Sequence, residues 1–462
     1  MRISVASFLL VPWLLLSPVM GQNLKLPISN YTTRDYGRKY EATNYCILTD
    51  HRNMVYTGNA NGIMEYDASH WRFIPVRQGA YVTSMDIGQS GILFVGSQHE
   101  FGYLDIDAKG SLQYRSLSDK LPEEDRFFTT IRATHAGIDF TAFRAEECIF
   151  IYRKDSLSTI YPETSFHTSF LVGEQLYVRE RRGGLKVLKE DVLVPVIGGT
   201  KFFDLRIFGM FPHDDQGGIL IATTAKGFYL LDPLRGIKHM PTDNDPFLIR
   251  AGISGGIALR DGNIALNTRH EGVIICNREG NISAVINKHS GLHVDDVKDI
   301  CQDAYHNIWC ALDNGISKID YSSPVSFYHE NAGLEGSVHA LVRHEGQLFV
   351  GTTSGLFAED YAKALNRSLE FRPHAGIRDQ VWSLKSIRGS LLAGTNNGLY
   401  VIRNGSARKI SGMDAFALHY LEKEKLLLVG GSGGLAAFSA VKDWKQVMEF
   451  SDIREDIKSI AE

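Results

Sequence analysis

The chain has 462 residues, with 49 Lys+Arg against 53 Asp+Glu, and the resulting net charge of -4 argues against a general nucleic-acid-binding surface. It is long enough to bury a large core in more than one folded unit. Forty-four glycines against 13 prolines, with 10% aromatic residues, suit many short strands joined by tight turns and do not suit a disordered tract.

Taken in order, the chain opens on Arg2 and an apolar run from Val5 to Leu16, followed by Val19-Met20-Gly21. This reads as a signal peptide over residues 1–21, with Gln22 as the mature start. The run is shorter than the roughly 20 residues of a spanning helix, contains Pro12 and is followed by Pro18. Five cysteines, Cys46, Cys148, Cys276, Cys301 and Cys310, are an odd number without CxxC spacing. They read as buried free thiols, and no metal or cofactor is expected.

From Cys46 onward one grammar repeats. Ile47-Leu48-Thr49-Asp50, Met54-Val55-Tyr56-Thr57 and Asn61-Gly62-Ile63 form a strand, a turn, a strand, a turn and a strand. The clearest copy is Val297 to Asp320, where Asp303 and Gly315 keep the spacing of Asp50 and Gly62. Between them lie units marked by Gly91 to Ser97, by Ile138-Asp139-Phe140 with Cys148 to Tyr152, by Leu176-Tyr177-Val178, by Gly218 to Thr223 and by Gly262 to Leu266. The third of these seven lacks its glycine. Gly62 to Gly315 makes six steps of about 42 residues each, the length of a four-stranded propeller blade.

The expected fold is therefore all-β: a seven-bladed β-propeller over 22–323, followed by an incomplete second propeller of about three blades over 324–462. Pro27-Ile28-Ser29-Asn30-Tyr31 parallels Pro324-Val325-Ser326-Phe327-Tyr328, so the early copy is expected to supply the outer strand of the seventh blade and latch the ring. Units eight to ten are marked by Gly351-Thr352, Gly394-Thr395 and Val429-Gly430, and Asp456 to Glu462 reads as the first strand of an eleventh. On this reading the chain is a fragment whose open arc is less stable than its ring.

Gly351-Thr352-Thr353-Ser354-Gly355-Leu356 and Gly394-Thr395-Asn396-Asn397-Gly398-Leu399 resemble the two-component regulator propeller repeat. That repeat builds the periplasmic sensor domains of Bacteroidetes hybrid two-component systems and their relatives with a triple-tyrosine domain. The resemblance covers nearly the whole mature chain, while units three and four depart from the pattern. It implies a periplasmic sensor module lacking its output domain, attached to a membrane only through a further C-terminal segment. Any kinase activity would belong to such a segment, so the chain itself is expected not to be an enzyme.

The turns between second and third strands all emerge on one face, and loops on a rigid scaffold are the usual place for binding groups. The candidate ligand residues there are Asn59, Asn61, His99, Glu100, Phe101, Arg144, Arg179, Arg181, Lys226, Arg269, His270, Glu271 and Asn314. Amides, charges and an aromatic ring suit a small polar molecule or an oligosaccharide. Turn chemistry is the alternative reading of each residue taken singly. Asp50 and Asp303 face the other way and are expected to accept backbone N–H bonds. No catalytic carboxylate pair is visible, so a protein-interaction scaffold is the next reading and a propeller glycosidase or lyase the one after it. A homodimer is an allowed assembly, and no nucleic-acid partner is expected.

Overall fold

The computed structural model describes residues 26–77, 80–325, 332–360 and 371–461. The signal peptide, and residues 326–328 of the second copy of the N-terminal motif, lie outside the described residues. The chain divides into two compact units, Met1–Val325 and Ser326–Glu462.

The first unit contains seven antiparallel four-stranded sheets. Their first strands are Asn44–Thr49, Val82–Ile87, Ala133–Ala136, Phe166–Val172, Ile207–Pro212, Ile253–Ala258 and Val297–Gln302. Each of these strands lies against the first strand of the next sheet, and that of the seventh lies against that of the first. Short alternating segments fold this way because each sheet has two apolar faces that only neighbouring sheets can cover. Between the second and third sheets, for example, Phe101 stacks 4.8 Å from Phe150 and 4.6 Å from Phe143.

Aspartates fix the first turn of several sheets. Asp303 Oδ1 accepts from the Tyr305 and Asn307 N–H groups at 2.9 Å, and Oδ2 accepts from Asn307 Nδ2 at 2.9 Å and Trp309 Nε1 at 3.0 Å. Asp50 likewise accepts from the Arg52 and Met54 N–H groups at 2.8 and 3.0 Å. A short acidic side chain folded back on its own turn satisfies donors that would otherwise go unpaired, which is the structural role expected for both residues.

The seam between the seventh and first sheets is made by chain from both ends of the unit. Ile28–Tyr31 is the fourth strand of the seventh sheet, in register Ile28↔Ile319 to Tyr31↔Ile316. This is the latch anticipated from the repeated Pro-Ile-Ser-Asn-Tyr motif. Asn30 Oδ1 accepts from Ser317 Oγ at 2.6 Å, and Tyr31 stacks on Trp309 at 5.8 Å beside Tyr66 and Trp71. Nearer the centre, Asp299 Oδ2 accepts from the Ile47 N–H at 2.9 Å. Asp86 does the same for Ala136 between the second and third sheets, at 2.8 Å.

A second recurring contact sets how closely the sheets approach. The penultimate residue of the second strand faces the start of the next sheet. It is Gly58 in the first sheet, where an added Cβ would sit 2.7 Å from Val82 Cγ1. Gly96 faces Ile131 in the same manner, and Ala222 and Ala311 hold the corresponding place in the fifth and seventh sheets.

The second unit has three such sheets, with first strands Val338–His344, Val381–Ile387 and Ala417–Leu421. Gly351, Gly394 and Gly430 hold the same place in it, and a Cβ on Gly351 would lie 2.6 Å from Val381 Cγ1. Beyond the tenth sheet, Ile457 fills the position against Gly430, and its N–H donates to the Gly431 carbonyl at 2.9 Å. The segment around it forms no strand, contrary to the sequence expectation. A first strand needs a second one to pair with, and none follows among the described residues.

Two further expectations are settled by the fold. All five cysteines are free, four of them buried. Ile138-Asp139-Phe140 is not the second strand of the third sheet: that strand is Thr141–Arg144, and Ile138 is an exposed turn residue.

Burial pushes the Asp299 carboxyl up to about 7, the Asp86 carboxyl adds to the rise, and the Ile47 and Ile300 N–H donors oppose it. The folded value then exceeds the ordinary carboxylate value of about 3.9, so the native state binds the proton more tightly than the unfolded chain. The stability that this proton supplies is present at acid pH and is lost as pH rises through 7. Asp299→Asn keeps an acceptor for Ile47 and removes the charge. Denaturant titrations from pH 5 to 8 should show the variant gaining stability relative to wild type as pH rises.

Candidate functional site

The second-to-third turns and the connectors between sheets emerge on one face of the first unit. On that face a cavity of about 340 Å³ opens between the fifth and sixth sheets. Asp204, Leu205 and Arg206 of the connector entering the fifth sheet line it, with Phe208 of that sheet's first strand. Thr224 and Ala225 of one turn, Arg269 and His270 of another, and Gly252 and Ile253 complete the wall.

Local chemistry explains the rim. The short helix Asp245–Ala251 has Pro246 in its first turn and ends on Gly252, at φ 69° in the left-handed region where glycine is favoured. The Gly252 carbonyl accepts from the Arg269 N–H at 3.1 Å, and the Ala251 carbonyl accepts from the His270 N–H at 3.2 Å. The helix end therefore holds the backbone from which these two exposed side chains project. The cavity offers an aromatic ring, three basic side chains, a carboxylate and a hydroxyl.

Next to it the third and fourth sheets carry an arginine cluster. His167, at the start of the fourth sheet, packs edge-on against Phe208 with ring centroids 5.7 Å apart. Burial first, then the charges of Arg179, Arg144, Arg206 and Arg181, pull the His167 pKa down to about 4, so the imidazole is neutral at neutral pH. His135 is also pulled down to about 4, by burial and by Arg144, and its Nε2 lies 2.8 Å from Ser169 Oγ.

By register, Arg144, the last residue of the shorter strand Thr141–Arg144, and Arg179 occupy the inter-sheet position that Gly58 and Gly96 fill elsewhere; their partners are Ala133 and Thr168. Arg179 is buried, and its guanidinium donates to three carbonyls of the following connector: Phe202 at 3.0 Å, Leu205 at 2.9 Å and Phe203 at 2.7 Å. It fastens the fourth sheet to the segment that carries Asp204 and Arg206.

The residues expected at the site divide accordingly. Arg269 and His270 line the cavity; Glu271 follows them in the chain, and exposed Lys226 follows Ala225 of the other turn. Arg144, Arg179 and Arg181 belong to the cluster, where Arg181 Nη2 pairs with Glu146 Oε2 at 3.3 Å. Asn59, Asn61, His99, Glu100, Phe101 and Asn314 belong to the first, second and seventh sheets, and none lines the cavity. Several of them are corrected to structural roles. Phe101 is fully buried in the core. Buried Glu100 accepts from Tyr114, Ser116 and Ser118 hydroxyls and lies 2.7 Å from Arg77. Asn59 Nδ2 donates to the Glu41 and Thr43 carbonyls, Asn61 Oδ1 accepts from the Glu41 N–H, and His99 Nδ1 lies 2.8 Å from the Phe128 carbonyl.

Sequence reasoning missed Asp204, Arg206, Phe208 and His167, because only the turns within each repeat were weighed. The connectors between repeats emerge on the same face but follow no repeating pattern, so no spacing marks their residues. Among the described residues no group of three or more His, Cys, Asp or Glu side chains could hold a metal ion.

No protein-family model matches the sequence, and no curated protein matches it. The structure is similar to the extracellular domain of a protein described as a hybrid two-component system, BT3049 of B. thetaiotaomicron, at 14% identity and a TM-score of 0.56, over 92% of this chain and 67% of that one. It is also similar to the extracellular domain of BT4673 from B. thetaiotaomicron, at 15% identity and a TM-score of 0.50, over 92% of this chain and 61% of that one.

Arg179→Met leaves three carbonyls without their donor and should lower stability by about 2–4 kcal/mol. The exposed substitution Arg206→Gln should change stability by no more than about 0.5 kcal/mol. Urea denaturation of both variants checks the contrast. Across nearly its whole length the chain has the all-β fold of these two extracellular domains from B. thetaiotaomicron.

Proposed function

We propose that this chain is the extracytoplasmic ligand-sensing module of a signal-transduction regulator, exported to the periplasm, and that it recognises an oligosaccharide. In this reading the seven sheets of the first unit are the blades of a closed β-propeller, and the three sheets of the second unit are blades of another. Binding, not catalysis, is its task. The output it controls resides in another part of the regulator.

The cavity lined by Arg206, Phe208, Thr224, Arg269 and His270 is the observation that carries this reading. Its volume of about 340 Å³ is at the lower end of small-ligand sites, and it accommodates one sugar residue with the remainder of a chain in solvent. An aromatic ring and several side-chain donors suit the alternating apolar faces and hydroxyl edges of a pyranose. Rigid sheets on both sides hold these groups in place before binding, which lowers the ordering cost. The fold shared with the extracellular domains of two-component systems supports the same assignment.

Calorimetric titration of the chain from Gln22 onward with a panel of neutral and acidic oligosaccharides tests it. At least one member should bind saturably, and Phe208→Ala should weaken that binding roughly tenfold. Silence across the panel, or affinity indifferent to Phe208, contradicts the reading.

A further inference from the structure

One buried arginine of the cluster leaves a guanidinium nitrogen without a partner. Three sheets of the first unit place a long polar side chain at the inter-sheet position that is glycine or alanine in the other four, and they serve as internal controls for one another. Asn267 of the sixth sheet donates to the Val297 and Lys298 carbonyls at 3.2 and 3.1 Å. Arg179 of the fourth donates from Nε and Nη2 to three carbonyls. Arg144 of the third is different. It is only 4% exposed, its Nε reaches Ser169 Oγ at 3.4 Å, and its Nη1 is buried with no partner.

The groups around it are also unsatisfied. His167 Nδ1 and Thr168 Oγ1, on the strand that Arg144 faces, are buried without partners. No carboxylate forms an ion pair with Arg144 among the described residues. Glu146 on the adjoining turn is engaged by Arg181, and Glu147 has a buried oxygen of its own without a donor. Burial, followed by the charge of Arg132, draws the Arg144 pKa down to about 9, with Glu146 opposing, so the guanidinium stays charged at neutral pH. A buried, unpaired charge costs several kcal/mol, and folds retain one where something else completes it.

We propose that Arg144, with His167 and Thr168 of the strand it faces, forms a receptor for one oxyanion, a carboxylate or a sulfate ester. On the sensor reading above, the saccharide recognised is then an acidic one, with its anionic group at Arg144 and its ring toward Phe208. The site itself does not depend on that reading. Guanidinium is the donor suited to planar and tetrahedral oxyanions, and a neutral histidine and a threonine hydroxyl add donors without a competing negative charge. The surrounding charges of Arg132, Arg179, Arg181 and Arg206 favour an anion over a water molecule in the same space.

The test measures the unfolding temperature of the chain at constant ionic strength in sodium sulfate and in sodium D-glucuronate, against sodium chloride and D-glucose. Sulfate, glucuronate or both should raise it saturably, and which of them does so separates sulfate ester from carboxylate. Arg144→Met should fold with an equal or higher unfolding temperature in chloride, because it removes an uncompensated buried charge. It should also lose the anion response. A purely structural Arg144 predicts the reverse, a lower unfolding temperature with any anion response retained. Should Arg144→Met fail to fold, Arg206→Gln decides the matter: it should weaken the sulfate response roughly threefold, and an unchanged response overturns the proposal. No stabilisation beyond chloride also overturns it. Neutral saccharides binding without any anion response would leave the sensor reading standing and remove this inference. An anion response without saccharide binding would do the opposite.

Discussion

The rest of the structure depends on how closely one sheet can approach the next. That distance is set where the second strand of each sheet ends against the entry of its successor, and there the backbone comes so near that Gly58 and Gly351 have no room for a Cβ. Close approach buries both apolar faces of every sheet, and burial of that area is the main favourable term in the fold. A ring made this way must also close. Within the seventh sheet the strand Ile28–Tyr31 pairs with Ile316–Ile319, so chain segments almost 290 residues apart share one sheet.

The same constraint gives a physical reason for where the site lies. A repeat can replace its inter-sheet glycine only if the new side chain finds something to do between the sheets. Asn267 and Arg179 bind the carbonyls of the next segment and become fasteners. Arg144 finds only a long contact to Ser169, and it sits among Arg132, His167 and Arg181 beside the Phe208 cavity. The departures from the repeat thus fall where the face becomes strongly basic. The regular sheets keep their small residues and carry ordinary turns.

Much of this was legible in the sequence. Spacing alone gave the repeat length, the aspartate turns at Asp50 and Asp303, the free cysteines and the latch at Ile28–Tyr31, because each depends on local chemistry repeated many times. The third sheet was misread: Ile138-Asp139-Phe140 has the apolar look of a strand but forms a turn, which shifted Arg144 from the end of a buried strand into an imagined exposed loop. The error in Phe101 and Glu100 has the same origin. Turn positions in a propeller lie within one or two residues of the core, and periodicity cannot say on which side of that boundary a side chain falls. Asp204, Arg206 and Phe208 were unreadable for another reason, since connectors between repeats follow no repeating pattern.

On the oxyanion proposal, Arg144 is a buried charge that an anion completes. Crystals of the chain grown with sodium selenate, with anomalous data collected at the selenium edge, test this directly. An anomalous peak within hydrogen-bond distance of the Arg144 guanidinium and beside His167 is the predicted result. Strong selenate peaks confined to exposed side chains elsewhere, with water or a protein carboxylate against Arg144, would contradict it.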